Sequence, residues 1–382
     1  MKVYLDNAAT TKVDDKVLKA MLPYFTEEYG NASSMHMKGS EAKNSLEKSR
    51  KIIANSINAK SSEIYFTSGG TESNNWALKG LFWQNFPKKN HIITTKIEHD
   101  CILKTCEWLE KEGAKVTYLD VNSEGFVDLE ELKKAITEKT FLVSIIHGNN
   151  EIGTIEDIES IGKICQEKKV LLHTDACQSY TKVPIDVKKQ NLDLVTINSH
   201  KIHGPKGVGA LYIKEGIKIT PLMHGGGHEK LMRSGTENIP GILGFAKASE
   251  QLSKKELNKM KIIRDKLIEG ILEKIPNTKL NGPTGEKRLA NNINISFMNI
   301  EGESIGGYLE NENIFVSTGS ACMSNTLSGS HVLKALGLSD LEQNSSIRFS
   351  ISKYTTEKEI DYVLKKLPKI IEKLRRLSPL IK

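Results

Sequence analysis

The sequence lacks most of what would mark a membrane, secreted or nucleic-acid-binding protein. No run approaches the ~20 consecutive apolar residues that span a bilayer, so no membrane association is expected. The opening residues, MKVYLDNAATT, contain no apolar stretch of the kind that directs secretion, and a cytoplasmic location is the expectation. Cysteine is scarce: Cys101, Cys106, Cys165, Cys177 and Cys322 are the only five. An odd number without C-x-x-C spacing argues against a disulfide framework and against a cysteine-rich metal knuckle. The formal charge is +7, but the lysines are scattered in pairs such as Lys88-Lys89, Lys168-Lys169, Lys188-Lys189 and Lys365-Lys366. There is no basic arm and no interleaving of aromatic with basic residues, so nucleic-acid binding is not expected. Internal repeats and low-complexity segments are also missing.

What remains is the composition of a globular protein, 38% hydrophobic and 26% charged. A chain of 382 residues exceeds one ordinary core, which makes two domains the expectation. Short apolar runs of strand length lie at Ile64–Thr67, His91–Thr95, Val116–Leu119, Phe141–Ile146, Val170–Thr174 and Leu192–Ile197. Helical patterns lie between them, from Thr71 through Phe82 and over Ile102–Glu112, Leu129–Glu138 and Ile158–Lys168. This alternation predicts an α/β fold with a mainly parallel sheet covered by helices on both faces. After a charged helical stretch, roughly 253–275, the pattern changes. Strands at Asn292–Met298, Phe315–Ser317 and Ile347–Ile351 with a closing helix, Glu357–Leu377, suggest a smaller α+β domain. The expected division is 1–15 as an N-terminal segment near the active site, 16–250 as the large domain and 251–382 as the small one.

The chemistry collects at strand ends, where open α/β sheets bind ligands. Ile64–Thr67 runs into Ser68-Gly69-Gly70-Thr71-Glu72. Glycines and a hydroxyl at a helix start make an anion site, although the same residues also make an ordinary cap. Other runs end in Glu98-His99, in His147-Gly148-Asn149-Asn150-Glu151 and in His173-Thr174-Asp175-Ala176-Cys177-Gln178. Leu192–Ile197 ends in Ser199-His200-Lys201 before a Gly-Pro-Lys-Gly turn. Each alone reads as polar residues meeting solvent; five converging on one edge read as a site. Pyridoxal 5′-phosphate matches the set: a phosphate for Gly70-Thr71, a ring nitrogen for a carboxylate, a carbonyl for an amine and a flat face for an imidazole.

The motifs YLDNAATT, TSGGTESNN, EH at 98–99, NNEIGT, HTDACQ, SHKIHGPKGVGALY, GGGHEKLMRSGTEN, STGSAC, SIRFSIS and TTEKEID occur in this order along nearly the whole chain. In them the sequence resembles cysteine desulfurases of the NifS/IscS type, in the class V aminotransferase family of fold-type I pyridoxal-phosphate enzymes. The resemblance implies a seven-stranded, mainly parallel sheet in the large domain and a smaller C-terminal domain carrying Cys322. It implies Lys201 as the Schiff-base lysine and proton carrier, Asp175 at the pyridine nitrogen and Gln178 at the phenolic oxygen. His99 would stack on the ring and assist proton transfer. Gly70, Thr71, Ser199 and His200 would hold the phosphate, and Asn150 would lie beside the ring oxygen and the substrate carboxylate. Arg348 would clamp that carboxylate. Thr236 would reach the phosphate of a neighbouring subunit, which implies a homodimer.

Cys322, in the loop-like STGSACMSNTLSGS, matches the family's sulfur acceptor. The implied reaction converts L-cysteine to L-alanine and leaves a persulfide on Cys322. The sulfur would then pass to an acceptor protein such as an iron–sulfur scaffold, to which a cluster could be bridged through Cys322, or serve tRNA thiolation. The remaining cysteines, Cys101, Cys106, Cys165 and Cys177, read as structural, least clearly so for Cys101, two residues after His99. A selenocysteine lyase or another β-eliminating relative would share every cofactor residue, and an inactive scaffold paralogue is the non-enzymatic alternative. Ala32, His228 and Lys353 depart from the family's common residues without removing a proposed catalytic group.

Overall fold

The computed structural model describes residues 1–318 and 329–378; Cys322 lies outside the described residues. The chain opens on a two-residue strand, β1 (Val3–Tyr4). Next come β2 (Ile64–Thr67), β3 (His91–Thr95), β4 (Lys115–Leu119), β5 (Thr140–Ser144), β6 (Leu171–Asp175), β7 (Leu194–Asn198) and β8 (Gly209–Ile213). These seven form one sheet in the order β2-β8-β7-β6-β5-β3-β4. All neighbours pair in parallel except β8, which runs antiparallel to both β2 and β7.

Burial on both faces explains the continuous apolar runs. Ile93, Val143, Leu172 and Val195 face a core shared with Leu46 and Ile53 of the helix Met37–Ser56 and with Phe245 of Ile239–Ser249. Their neighbours Ile92, Leu142 and Leu194, with Leu211 of β8, face a second core with Trp76 and Leu81 of the helix Gly70–Asn85 and Ile102 of Asp100–Lys111. Alternate residues of each strand therefore feed opposite layers.

The remaining strands are β9 (Thr278–Leu280), β10 (Asn292–Phe297), β11 (Ile314–Phe315), β12 (Ser317–Thr318) and β13 (Ser346–Ser350). A four-stranded sheet runs β12-β13-β10-β9. One face carries Ile293, Ile295, Phe297, Ile347 and Phe349 into a core with the helices Lys254–Lys274 and Glu357–Leu377. The other face is polar, with Asn294 paired opposite Arg348. The single strand expected at Phe315–Ser317 is two: β11 pairs in parallel with β1, and β12 pairs with β13. The first residues thus join both parts of the molecule. Asn7 Nδ2 donates to the Ser350 carbonyl at 2.8 Å, and Thr11 Oγ1 donates to the His200 carbonyl at 2.8 Å.

Candidate active site

Strands β2, β3, β5, β6 and β7 share one direction, so their carboxyl ends lie along a single edge of the sheet. Asp175 closes β6 and is buried. Its Oδ1 accepts the Cys177 backbone N–H at 2.8 Å, and its Oδ2 accepts Asn74 Nδ2 at 2.7 Å. Lys201 follows β7 within the same turn as Ser199 and His200, and its positive charge reaches His99 and Cys101. Gln178 donates from Nε2 to the Ala8 carbonyl at 3.0 Å, which sets the N-terminal segment against this edge. His200 is held by Thr10 Oγ1 at 3.2 Å. Burial and the nearby lysines push its pKa down to about 4, so it is neutral.

The helix Gly70–Asn85 starts at the end of β2 with Gly69 as its cap residue and no side-chain cap hydrogen bond. The helices starting at Asp100, Ile158, Ile239 and Lys254 are each capped by a side chain, whereas Gly302–Asn311, in the smaller part of the molecule, also lacks a side-chain cap. An uncapped start leaves backbone N–H donors and the positive end of the helix dipole available to an anion. A Cβ on Gly70 would stand 2.6 Å from Cys177 Sγ, so a larger residue there would have to displace that side chain. Thr71, beside it, is exposed. Ser199 is wholly buried and its Oγ has no partner among the described residues; it lies over Gly204, against Ala248.

His99 caps the helix Asp100–Lys111: its Nδ1 accepts the Cys101 backbone N–H at 3.1 Å. Burial, then the Lys201 charge, lowers its pKa. Arg348 enters from β13, buried, and donates from Nη1 to the Asn150 carbonyl at 3.3 Å and from Nη2 to Asp6 Oδ1 at 2.9 Å. Its Nε is buried without a partner among the described residues. A guanidinium with unused donors beside this edge is suited to a carboxylate. Thr236 is exposed on the chain's surface.

Asn74 carries no role in the sequence reading, yet it is wholly buried and bonds Asp175. Its signal is helical spacing: it lies one turn after Gly70, on the same face as the anion-site residues. Asp6 likewise carries no role in the sequence reading, although YLDN lies within the motifs, and Glu98 stands there only as a strand-end residue.

A mainly parallel seven-stranded sheet, a buried carboxylate at a strand end, a lysine turn beside it and an uncapped helix start define a cofactor-type α/β enzyme. Residues 3–363 match the family described as aminotransferase class-V, and the chain belongs to that family. It is 51% identical over 383 residues to a cysteine desulfurase IscS of Clostridium botulinum, covering 99% of this chain and 96% of that protein. It is 50% identical to a cysteine desulfurase IscS of Methanosarcina thermophila, with 99% and 94% covered. Among solved structures, a NifS-like protein superposes with a TM-score of 0.92 at 43% identity, covering 98% of this chain and 100% of that one. A structure described as SspA in complex with cysteine gives 0.83 at 38% identity, with 93% and 100% covered.

Proposed function

We propose that the protein is a pyridoxal-phosphate-dependent cysteine desulfurase, converting L-cysteine to L-alanine and passing the sulfur to Cys322. The observation that carries this reading is the meeting of Lys201, Asp175, His99 and an uncapped helix start on one sheet edge, in a chain half-identical to cysteine desulfurases. The donor set suits the cofactor: backbone N–H groups at Gly70 and Thr71 for a phosphate, Asp175 for a ring nitrogen, and an amine at Lys201.

When bound, pyridoxal phosphate would supply the electron sink that lets a bond at the substrate's Cα or Cβ break. Lys201 would hold it through its amine and carry the proton at the substrate's Cα. Asp175, with both oxygens fixed by Cys177 and Asn74, would keep a negative charge in place for a protonated ring nitrogen. Gln178, Asn150, Ser199 and His200 would complete the cradle. Arg348 would clamp the substrate carboxylate. In the net reaction the substrate's C–S bond breaks, an S–S bond forms at Cys322 and the substrate carbon gains a proton.

A homodimer with Thr236 reaching the partner's phosphate, a cytoplasmic location and delivery to an iron–sulfur scaffold or to tRNA thiolation complete the reading. The test is to incubate the holoenzyme with L-cysteine and a reductant and quantify alanine and sulfide together. Equal amounts of both are expected; sulfide with pyruvate in place of alanine would overturn it.

A further inference from the structure

A chain of hydrogen bonds joins Asp175 and His99, two of the residues assigned to the proposed cofactor. Asp175 Oδ2 accepts from Asn74 Nδ2 at 2.7 Å, and the same amide nitrogen approaches Cys101 Sγ at 3.1 Å. Cys101 Sγ in turn lies 3.1 Å from His99 Nδ1. The direction of each bond follows from chemistry. The Asn74 amide must point its nitrogen at the Asp175 carboxylate, since an oxygen there would face oxygen. Burial pushes the Cys101 pKa up to about 12, so the sulfur carries a proton. Asn74 Nδ2 is a donor only, which leaves His99 Nδ1 as the acceptor for the S–H. The Cys101 backbone N–H also donates to Nδ1, at 3.1 Å. With two donors aimed at it, Nδ1 holds a lone pair and the ring proton sits on Nε2.

We propose that Cys101 is a positioning residue that fixes His99 as the neutral Nε2–H tautomer and links it, through Asn74, to Asp175. Protonating His99 would place a hydrogen on Nδ1 and break both bonds to it. In the resting site His99 therefore presents its Nε2–H as a hydrogen-bond donor. This inference rests on the proposed cofactor site, but its test reads the imidazole itself and not turnover.

Nitrogen-15 spectra of histidine-labelled holoenzyme, with the His99 signals assigned by their loss in His99→Gln, report the tautomer and its titration. The wild type should show an unprotonated Nδ1 and a protonated Nε2. In Cys101→Ala the midpoint of the His99 titration should rise by about half to one pH unit, the size of one hydrogen bond to the neutral form. Cys101→Ser restores a donor and should return the midpoint toward wild type. A protonated Nδ1 in the wild type overturns the proposal even if neither variant folds. An unchanged midpoint in Cys101→Ala overturns it equally. Absence of desulfurase activity in the wild type, with the tautomer as stated, would count against the proposed function and leave this assignment standing.

Discussion

Arg348 and Asp6, 342 positions apart in the chain, meet in an ion pair at 2.9 Å. The contact ties β13 to the segment that follows β1 and gives the guanidinium a fixed orientation beside Asn150. Asp6 uses Nη2, the Asn150 carbonyl uses Nη1, and Nε stays unpaired among the described residues. A planar fork held in this way can still offer donors to a substrate carboxylate.

Arg348→Lys should therefore raise KM for cysteine while changing kcat less. A point-charge ammonium cannot reproduce the fork, and losing one charge-assisted hydrogen bond corresponds to roughly a ten- to hundred-fold loss of affinity. Steady-state alanine formation at varied cysteine measures this. An unchanged KM would remove Arg348 from the substrate.

Glu98 should make stability fall with rising pH. Its Oε1 accepts from Thr95 Oγ1 at 2.8 Å and from Ile146 N at 2.9 Å, while Oε2 is buried without a partner among the described residues. Burial raises its pKa to about 8. In an unfolded chain the group ionises near ~4.3, so between these values the folded state binds more protons than the unfolded one. Stability linked to Glu98 is thus complete below the unfolded pKa and is lost as pH rises through the folded one. Glu98→Gln keeps the shape and removes the titration, so its stability should fall less than that of the wild type over this range. Glu156, also raised to about 8 by burial, leaves a residual slope. Denaturant unfolding at a series of pH values decides it, and parallel curves for the two proteins would refute the assignment.

What the sequence could reveal followed from where apolar runs stop. Asp175, His99 and Lys201 were legible because each ends or follows a short buried strand. β8 was not, because its residues Gly209–Ile213 continue a glycine-rich turn and show no break in composition. The helix Met37–Ser56 was hidden for a different reason: its buried face is Gly39, Ala42, Leu46, Ser49, Arg50, Ile53 and Ala54, small or polar at nearly every step. The burial of Arg50 is offset chiefly by Glu229, which accepts two short hydrogen bonds, from Nη1 at 2.6 Å and Nη2 at 2.7 Å, with the Ile64 carbonyl accepting a third. That pairing spans 179 residues, and the link from Asn74 to Asp175 spans 101. No local pattern announces a partner so far away.

Subunit complementation should reveal a shared site. Thr236 is exposed in the single chain, as a residue serving a neighbour would be. Mixing Lys201→Ala with Thr236→Ala under exchanging conditions gives heterodimers in which one site carries both defects and the other neither. Activity of the mixture should exceed that of both parents. A fully active monomer in sedimentation would rule out the composite site.

Cys322 should be the sulfur acceptor, and the other four cysteines show why the role falls to it. Burial holds Cys101, Cys106, Cys165 and Cys177 as thiols by raising the pKa of each, to about 12 for Cys101 and Cys165. A buried thiol of that kind supplies almost no thiolate at neutral pH, and the thiolate is the nucleophile. Even an ordinary cysteine, with a pKa near ~8.5, is only a few per cent ionised there, so the acceptor must be reached by a base or by the substrate complex. The residues around Cys322, STGSACMSNTLSGS, have the composition of a loop rather than a core. Cys322→Ser should keep its cofactor and still bind cysteine, yet release almost no alanine. Wild-type protein treated with cysteine without reductant should gain one sulfur atom on the peptide containing Cys322, and mass spectrometry of the digest reads it directly. If the serine variant forms alanine at the wild-type rate, sulfur leaves without a protein acceptor and the chemistry is that of a lyase.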